Sequence, residues 1–209
     1  MKKIKWIALI MLLTTAGCST TKITSSWSAP NNTSRIYKKI MVLGLIQQKG
    51  WTLRERMEEH FIGDLTDLGY TAISSFKEYG PKAFDGMDEK AAIEKIKNSG
   101  VDAVITIVLL DKKKETRYVS GQYQYNSNFW DYVGMRNARI YEPGYYVTET
   151  KYFWESNFYD MTTQSLLYSV QTKTFAPSST ESMSHEYGQM IVRNMQKKHI
   201  LIKQKPIEE

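Results

Sequence analysis

Apolar residues follow three different spacings along this chain, and the changes of spacing set the order of its elements. From Tyr37 to Ile46 they run almost unbroken toward Gln47-Gln48, which predicts a strand buried in the middle of a sheet. The period then becomes helical: Leu53, Met57, Phe61, Leu65 and Leu68 recur behind a Thr52-x-x-Glu55 capping box, and Gly69 supplies the stop. Tyr70 to Phe76 reads as a second strand before a turn at Gly80-Pro81. Asp88 to Asn98 reads as a second helix with Ala92, Ile93 and Ile96 inward, ended by Ser99-Gly100. Val101 to Leu110 is a third strand, again nearly all apolar.

Strands separated by helices in this order predict βαβαβ with parallel pairing and right-handed crossovers. Val104, Ile105 and Ile107 are the expected heart of the core. Further on the period falls to two. Between Tyr146 and Asp160, Tyr152, Trp154 and Phe158 share one face while Glu149, Lys151 and Glu155 share the other. Leu166 to Phe175 matches it, with Leu166, Tyr168 and Val170 on one side and Met161–Ser165 as the turn, so an antiparallel hairpin on the sheet's edge is expected. A Ser178-x-x-Glu181 capping box opens a last helix that aligns Met183, Tyr187, Met190, Ile191 and Asn194. The expected fold class is α/β: a mixed sheet, βαβαβ followed by a β-hairpin and a C-terminal helix. It forms a single domain over residues 36–203, with 204–209 as a tail.

One stretch has no period. Residues 118–159 hold 14 of the chain's 26 aromatics in 42 positions, yet 120–145 alternate in no clear way and include Gly121, Gly134, Pro143 and Gly144. An aromatic-rich insertion over 118–147, a long loop or loose hairpin, is therefore expected, and loops of that length are often functional. Tyr152, Trp154 and Phe158 fit the core. Tyr123, Tyr125, Phe129, Trp130 and Tyr132 sit among Gln, Asn, Ser and Gly, and rigid amphipathic rings in a polar loop suit a partner-binding surface. Packing onto the sheet is the competing reading.

The chain's beginning is patterned differently again. Lys2, Lys3 and Lys5 precede an apolar run, Trp6–Leu13, too short to span a bilayer, and Thr15-Ala16-Gly17-Cys18 follows. This resembles a bacterial lipoprotein signal, which implies removal of residues 1–17 and lipidation of Cys18, with Thr15 standing where Leu is usual. Residues 18–35, rich in Ser, Thr and Asn, read as the lipidated N-terminus and a flexible tether, in which Trp27 is a candidate to dock on the folded part. Ser19 after the cysteine points to the outer membrane, facing the periplasm.

The signal changes the charge picture. The whole chain carries +6, but three lysines and no acid lie in the signal, so the mature chain has 25 − 22 = +3. That gives no reason to expect nucleic acid as a partner. Lys112-Lys113-Lys114 and Lys197-Lys198 read as solvated element ends. Cys18 is the sole cysteine, so no intrachain disulfide and no catalytic thiolate are expected.

Candidate chemistry is sparse. His60 lies on the first helix and His185 and His199 on the last, with no ligand spacing for zinc. Nucleophile elbows, Walker loops and Gly-x-Gly-x-x-Gly turns do not occur. Glu58-Glu59 and Asp64/Asp67 read as a solvated helix surface, not as the facing carboxylates of a glycosidase. The expectation is a protein that is not an enzyme and that uses no metal and no cofactor.

Several motifs carry a resemblance. Lys39-Ile-Met-Val-Leu43 precedes a helix with Arg54 and Arg56, and Leu65-x-x-Leu-Gly-Tyr70 closes it. Ser99-Gly-Val-Asp-Ala-Val-Ile105 starts the third strand, and Phe158-Tyr-Asp-Met-Thr-Thr-Gln-Ser-Leu-Leu-Tyr168 forms the hairpin turn. Over about 37–110 and 146–200 the chain resembles the CsgG/LpoB group of bacterial envelope lipoproteins, whose domain is similar to the N-terminal domain of TolB. Gln164 stands where a turn glycine is common and Tyr168 where Trp is usual. The resemblance implies an accessory or binding module for an envelope complex in cell-wall synthesis or secretion, with an envelope protein as partner and the membrane held through the lipid. A pore-forming oligomer of the CsgG type is the alternative, and the oligomeric state is left open.

Overall fold

In the computed structural model, which describes residues 20–30, 35–47, 51–82, 84–119 and 144–204, the two apolar runs lie side by side in the middle of a six-stranded sheet. The elements are β1 (Thr21–Ser28), β2 (Lys39–Leu45), α1 (Thr52–Asp67), β3 (Thr71–Ser74), α2 (Ser75–Tyr79), α3 (Glu89–Asn98), β4 (Ala103–Val119), β5 (Tyr145–Asp160), β6 (Ser165–Phe175) and α4 (Thr180–Lys197). Strand order is β1-β6-β5-β4-β2-β3. β2 pairs parallel with β3 and β4, and the remaining pairs are antiparallel. The βαβαβ expectation and the mixed α/β class hold.

The sheet is covered unequally. On one face α1 and α4 pack Leu53, Met57, Phe61, Leu65, Met183, Tyr187, Ile191 and Met195 against Ile40, Val42, Ile105, Ile107, Trp154, Phe158, Tyr168 and Val170. A smaller cluster on the other face joins Met41 and Val104 to Ile96, Val101 and Met161, with Ile93 of α3 against it. Ile105 and Ile107 are fully buried and Val104 nearly so, as the continuous run required.

Short motifs gain physical reasons. The carboxylate of Asp102 accepts from the backbone N–H groups of Lys38 (2.8 Å) and Lys39 (3.0 Å), joining the starts of β2 and β4. Asp160 accepts from the N–H groups of Thr162 (2.7 Å) and Thr163 (3.1 Å), an Asx-type turn that reverses the chain into β6. Burial pushes the Asp160 carboxyl up, but those N–H groups and Arg35, 2.7 Å away, outweigh it and hold it below the usual range. After α1, Gly69 (φ 90°) donates to Thr66 O and Tyr70 to Leu65 O, a Schellman closure.

Six expectations need correction. Residues 21–28 are not tether but the edge strand β1, antiparallel to β6. Thr21 and Ile23 turn toward the helices while Lys22 turns away, and β-branched residues favour that pleat. The hairpin β5–β6 is consequently interior, because β1 takes the edge. The second strand stops at Ser74, where the Ser74 hydroxyl caps α2 by accepting from Lys77 N–H. At α1 the N-cap is Trp51 with no side-chain cap, so Thr52-x-x-Glu55 is no capping box. At α4 the cap is Ser179, accepting from Ser182 N–H, one residue later than expected. At the other terminus Gln204 donates to Leu68 O at 2.8 Å and belongs to the folded part.

Candidate functional site

β4 and β5 outrun the rest of the sheet. Thr21, Thr174, Tyr152 and Lys112 lie level across β1, β6, β5 and β4; one step further Lys151 still faces Phe175 and Thr150 O accepts from Ala176 N–H, after which β4 and β5 pair only with each other, as far as Val119 opposite Tyr145. A bulge at Leu109/Asp111, with Leu110 as the extra, half-exposed residue, marks where the ribbon leaves the body. Because of it, even-numbered residues of β4 continue the helix-covered face and odd-numbered residues the open one.

The ribbon is held by charge register. Lys113 stands opposite Lys151, and Glu115 opposite Glu149, so direct neighbours repel. The diagonals attract: Lys151 pairs with Glu115, and Arg117 Nη2 donates to Glu149 at 2.8 Å. The hydrogen bond from Lys151 is the main reason the Glu115 carboxyl sits below its usual range. On the other face the hydroxyls of Thr116 and Thr148 meet at 3.0 Å. Toward the end, the rings of Tyr118 and Tyr146 lie 5.2 Å apart and the Tyr118 hydroxyl accepts from Gly144 N–H at 2.9 Å. Tyr118, Tyr145 and Tyr146 are 55%, 62% and 74% exposed, far beyond what core rings show.

Residues 120–143 join the two ends of this ribbon. Tyr123, Tyr125, Phe129, Trp130 and Tyr132 lie there, outside the described residues, as does Cys18. What the structure adds is the exposed tyrosine-bearing stem. Tyr152, Trp154 and Phe158 are buried on one face of β5, as their spacing required.

A second polar centre was misread from sequence. Glu58 is not solvated; it is fully buried beneath β2. Its carboxylate accepts from Gly44 N–H (2.8 Å), Arg54 Nε (3.0 Å), the hydroxyls of Ser74 (2.5 Å) and Ser75 (3.0 Å), and Phe76 N–H (2.9 Å). Arg54 spends its other nitrogens on Pro81 O (3.0 Å) and Ser75 Oγ (3.1 Å), and lies over the Phe76 ring. Every donor is satisfied, which a buried ion pair requires. A side chain at Gly44 would displace the pair: a Cβ there would lie 2.8 Å from Arg54 Cγ and 2.9 Å from Glu58 Oε1. A hollow of about 520 Å³ opens beside it, where β2 ends, lined by Trp51, Ile46, Gln47, Pro81 and Asp85. With Arg54 and Glu58 committed to each other, this centre is a structural lock. The sequence held a signal for it: Arg54, Glu58, Phe61 and Leu65 share one helical stripe.

The histidines make no catalytic set. His60 and His185 meet edge-on at 5.6 Å between α1 and α4, and His60 Nε2 lies 2.7 Å from Glu181 Oε1. Burial foremost, then His185, pushes His60 below its ordinary value. One turn on, burial raises Asp64 to about 6, only partly offset by His185 and Arg193, and its Oδ2 is buried without a hydrogen-bond partner against Gly188. Among the described residues no group of three or more His, Cys, Asp or Glu side chains is placed to hold a metal ion, and no helix is long and apolar enough to cross a membrane.

No protein-family model and no curated protein matches the chain. Among solved structures it is similar to the PelC dodecamer from Paraburkholderia phytofirmans, at 10% identity, 84% of this chain and 97% of that one, TM-score 0.46. It is also similar to the lipoprotein GNA1162 from Neisseria meningitidis, at 14% identity, 77% and 99% coverage, TM-score 0.43. A putative neuraminyllactose-binding hemagglutinin homolog from Helicobacter pylori aligns at 10% identity, 82% and 89% coverage, TM-score 0.37. Likenesses this distant carry no functional argument.

Proposed function

We propose that this chain is a lipid-anchored lipoprotein of the outer membrane, facing the periplasm, that serves as a non-enzymatic binding module for an envelope protein complex of cell-wall synthesis or secretion. The observation that carries the reading is the ribbon: two paired strands leave the body and present Tyr118, Tyr145 and Tyr146 to solvent, and they are joined by a segment with six further aromatic residues. Exposed tyrosines make large contacts at low entropic cost, because the ring itself has few rotatable bonds. Among the described residues, the fully buried acid–base pair Arg54–Glu58 is consumed by structure, which supports binding over turnover. The lipid reading rests on Cys18 and the residues before it.

The test is crosslinking in envelope membranes with the wild type and with Tyr125, Phe129, Trp130 and Tyr132 all changed to Ser. A partner captured by the wild type should be lost in the variant, while the melting midpoint stays unchanged. A large fall in the midpoint would assign those rings to the core and remove the binding surface.

The pore alternative draws on the same ribbon. A lipid-facing strand needs an apolar outer face of roughly 9–11 residues. Both faces of this ribbon are polar, with Lys112, Lys114, Thr116, Thr148 and Thr150 on one and Lys113, Glu115, Arg117, Glu149 and Lys151 on the other. Native mass of the detergent-solubilised protein separates the readings, since a pore requires a ring.

A further inference from the structure

β1 begins at Thr21, and its first residues are fastened to the body. Thr20 N–H donates to Glu186 at 2.9 Å, Phe175 N–H donates to Thr20 O at 3.0 Å, and the buried hydroxyl of Thr21 meets that of Thr174 at 3.0 Å. Only Ser19 and Thr20 separate Cys18 from this strand, a reach of about 10 Å for three peptide steps. A lipid on Cys18 therefore holds this end of the sheet close to the bilayer surface.

The same end carries the molecule's positive charge. Lys22 stands opposite Lys173 on the open face of β1 and β6. The Lys173 ammonium lies 5.2 Å from the Phe153 ring and 4.6 Å from that of Phe175, with Lys113 over Phe153 and Lys151 over Phe175. On the open face, five basic side chains (Lys22, Lys113, Arg117, Lys151 and Lys173) stand with three acidic ones (Asp111, Glu115 and Glu149), a net 5 − 3 = +2, while Lys112 and Lys114 add their charge at the same end from the other side. The whole mature chain carries +3, so this one face holds most of the excess. Glu181 and Glu186 sit on α4, on the helix-covered side. The ribbon also leaves from this end, and its seven steps from Lys112 to Val119 reach about 23 Å, twice the span of the anchor. It has to lie along the bilayer surface or enter the headgroup layer, where tyrosines and long basic side chains are favoured.

We propose that this face, formed by Lys22, Lys113, Lys151, Lys173, Phe153 and Phe175, docks on an anionic phospholipid bilayer and lays the ribbon against the headgroups. The orientation rests on the lipid-anchored reading, but the surface chemistry does not. The mature chain with Cys18→Ser, free of lipid, should therefore sediment with phosphatidylglycerol/phosphatidylethanolamine vesicles and not with phosphatidylcholine vesicles. A basic side chain near an anionic surface contributes about fivefold, so Lys22→Ser, Lys113→Ser and Lys173→Ser together should weaken binding by about 100-fold. The melting midpoint should not change. Lys90→Ser with Lys97→Ser, on exposed α3, should bind as the parent does. Equal binding to both vesicle types, unchanged binding of the triple variant, or an equal loss in the α3 control would each overturn the docking surface. The intact mass of the N-terminal peptide from cells reports the lipid separately, so the anchor and the docking face can fail independently.

Discussion

The Arg54–Glu58 centre and the β4–β5 ribbon are built from the same chemical parts, guanidinium, carboxylate and hydroxyl, with opposite results. Around Glu58 five donors converge on one carboxylate. Along the ribbon Glu115 and Glu149 each have a basic partner across the diagonal, Asp111 has Lys113 on its own strand, and solvent can replace each partner. Burial decides the difference. A charge taken from water has to be satisfied completely, so the buried centre fixes the relation of α1 to β2, β3 and α2. An exposed pair orients a surface at little gain in stability. The molecule thus separates a buried charge centre that holds its shape from an exposed one that stays open to solvent.

Removing the buried carboxylate should break that contrast most strongly. Glu58→Ala leaves the Arg54 guanidinium buried and uncompensated, with the Gly44 and Phe76 N–H groups unpaired, at a cost of about 3–5 kcal/mol by denaturant unfolding. Gly44→Ala attacks the same centre by volume alone and should cost less, about 1–3 kcal/mol. If Glu58→Ala unfolds at the parent's midpoint, the centre is not a lock.

Asp64 lies between the two extremes, partly buried and without a partner for one oxygen. The folded chain keeps its proton up to about pH 6, while the unfolded chain releases it near 3.8. The native state therefore binds the extra proton between those values, and stability falls as pH rises through them. Asp64→Asn should remove that slope and be more stable than the parent at pH 7.5, by about 1 kcal/mol once solvent screening is allowed for. His60, held below its ordinary value, acts in the opposite direction as pH approaches 6.5, so the comparison is between variant and parent at each pH. A parallel pH profile in the variant would show that Asp64 is ordinarily solvated.

Much of this was legible because burial leaves a period. The runs Tyr37–Ile46 and Val101–Leu110, the helical stripe from Leu53 to Leu65 and the alternation Tyr152/Trp154/Phe158 each place apolar atoms on the side where the core lies. Glu58 was not legible as core because a charged letter carries no hydropathic signal for burial; only its place on the Arg54–Phe61–Leu65 stripe did. β1 was hidden by composition: Thr-Lys-Ile-Thr-Ser-Ser-Trp-Ser looks like linker, and its hydrogen bonds come from β6, 150 residues away. The ribbon's length was also hidden. Lys112–Arg117 has no apolar alternation, and what extends β4 is pairing with β5, with charges matched on the diagonal.

At Gln164 the turn into β6 takes a left-handed conformation, φ 57°, which glycine adopts without a Cβ penalty. Gln164→Gly should stabilise by about 0.5 kcal/mol, read as a small rise in midpoint; a fall would mean the side chain makes contacts that outweigh the strain.

The smallest effect is expected in the ribbon, and it sharpens the contrast. Arg117 is two-thirds exposed and touches Glu149 from the diagonal. Arg117→Ala removes the same kind of group as the buried Arg54, so the two variants differ chiefly in burial. An exposed pair contributes about 0.5 kcal/mol or less, so Arg117→Ala should melt with the parent, whereas Arg54→Ala should fall with Glu58→Ala. Amide exchange on Thr116 and Thr148 should quicken in the Arg117 variant while that on Ile105 and Ile107 stays at the global rate, because local opening of the ribbon leaves the body intact. Were Arg117→Ala instead to lower the midpoint as far as Arg54→Ala, the ribbon would belong to the cooperative core, and a surface built on its freedom to meet a partner would have to be abandoned.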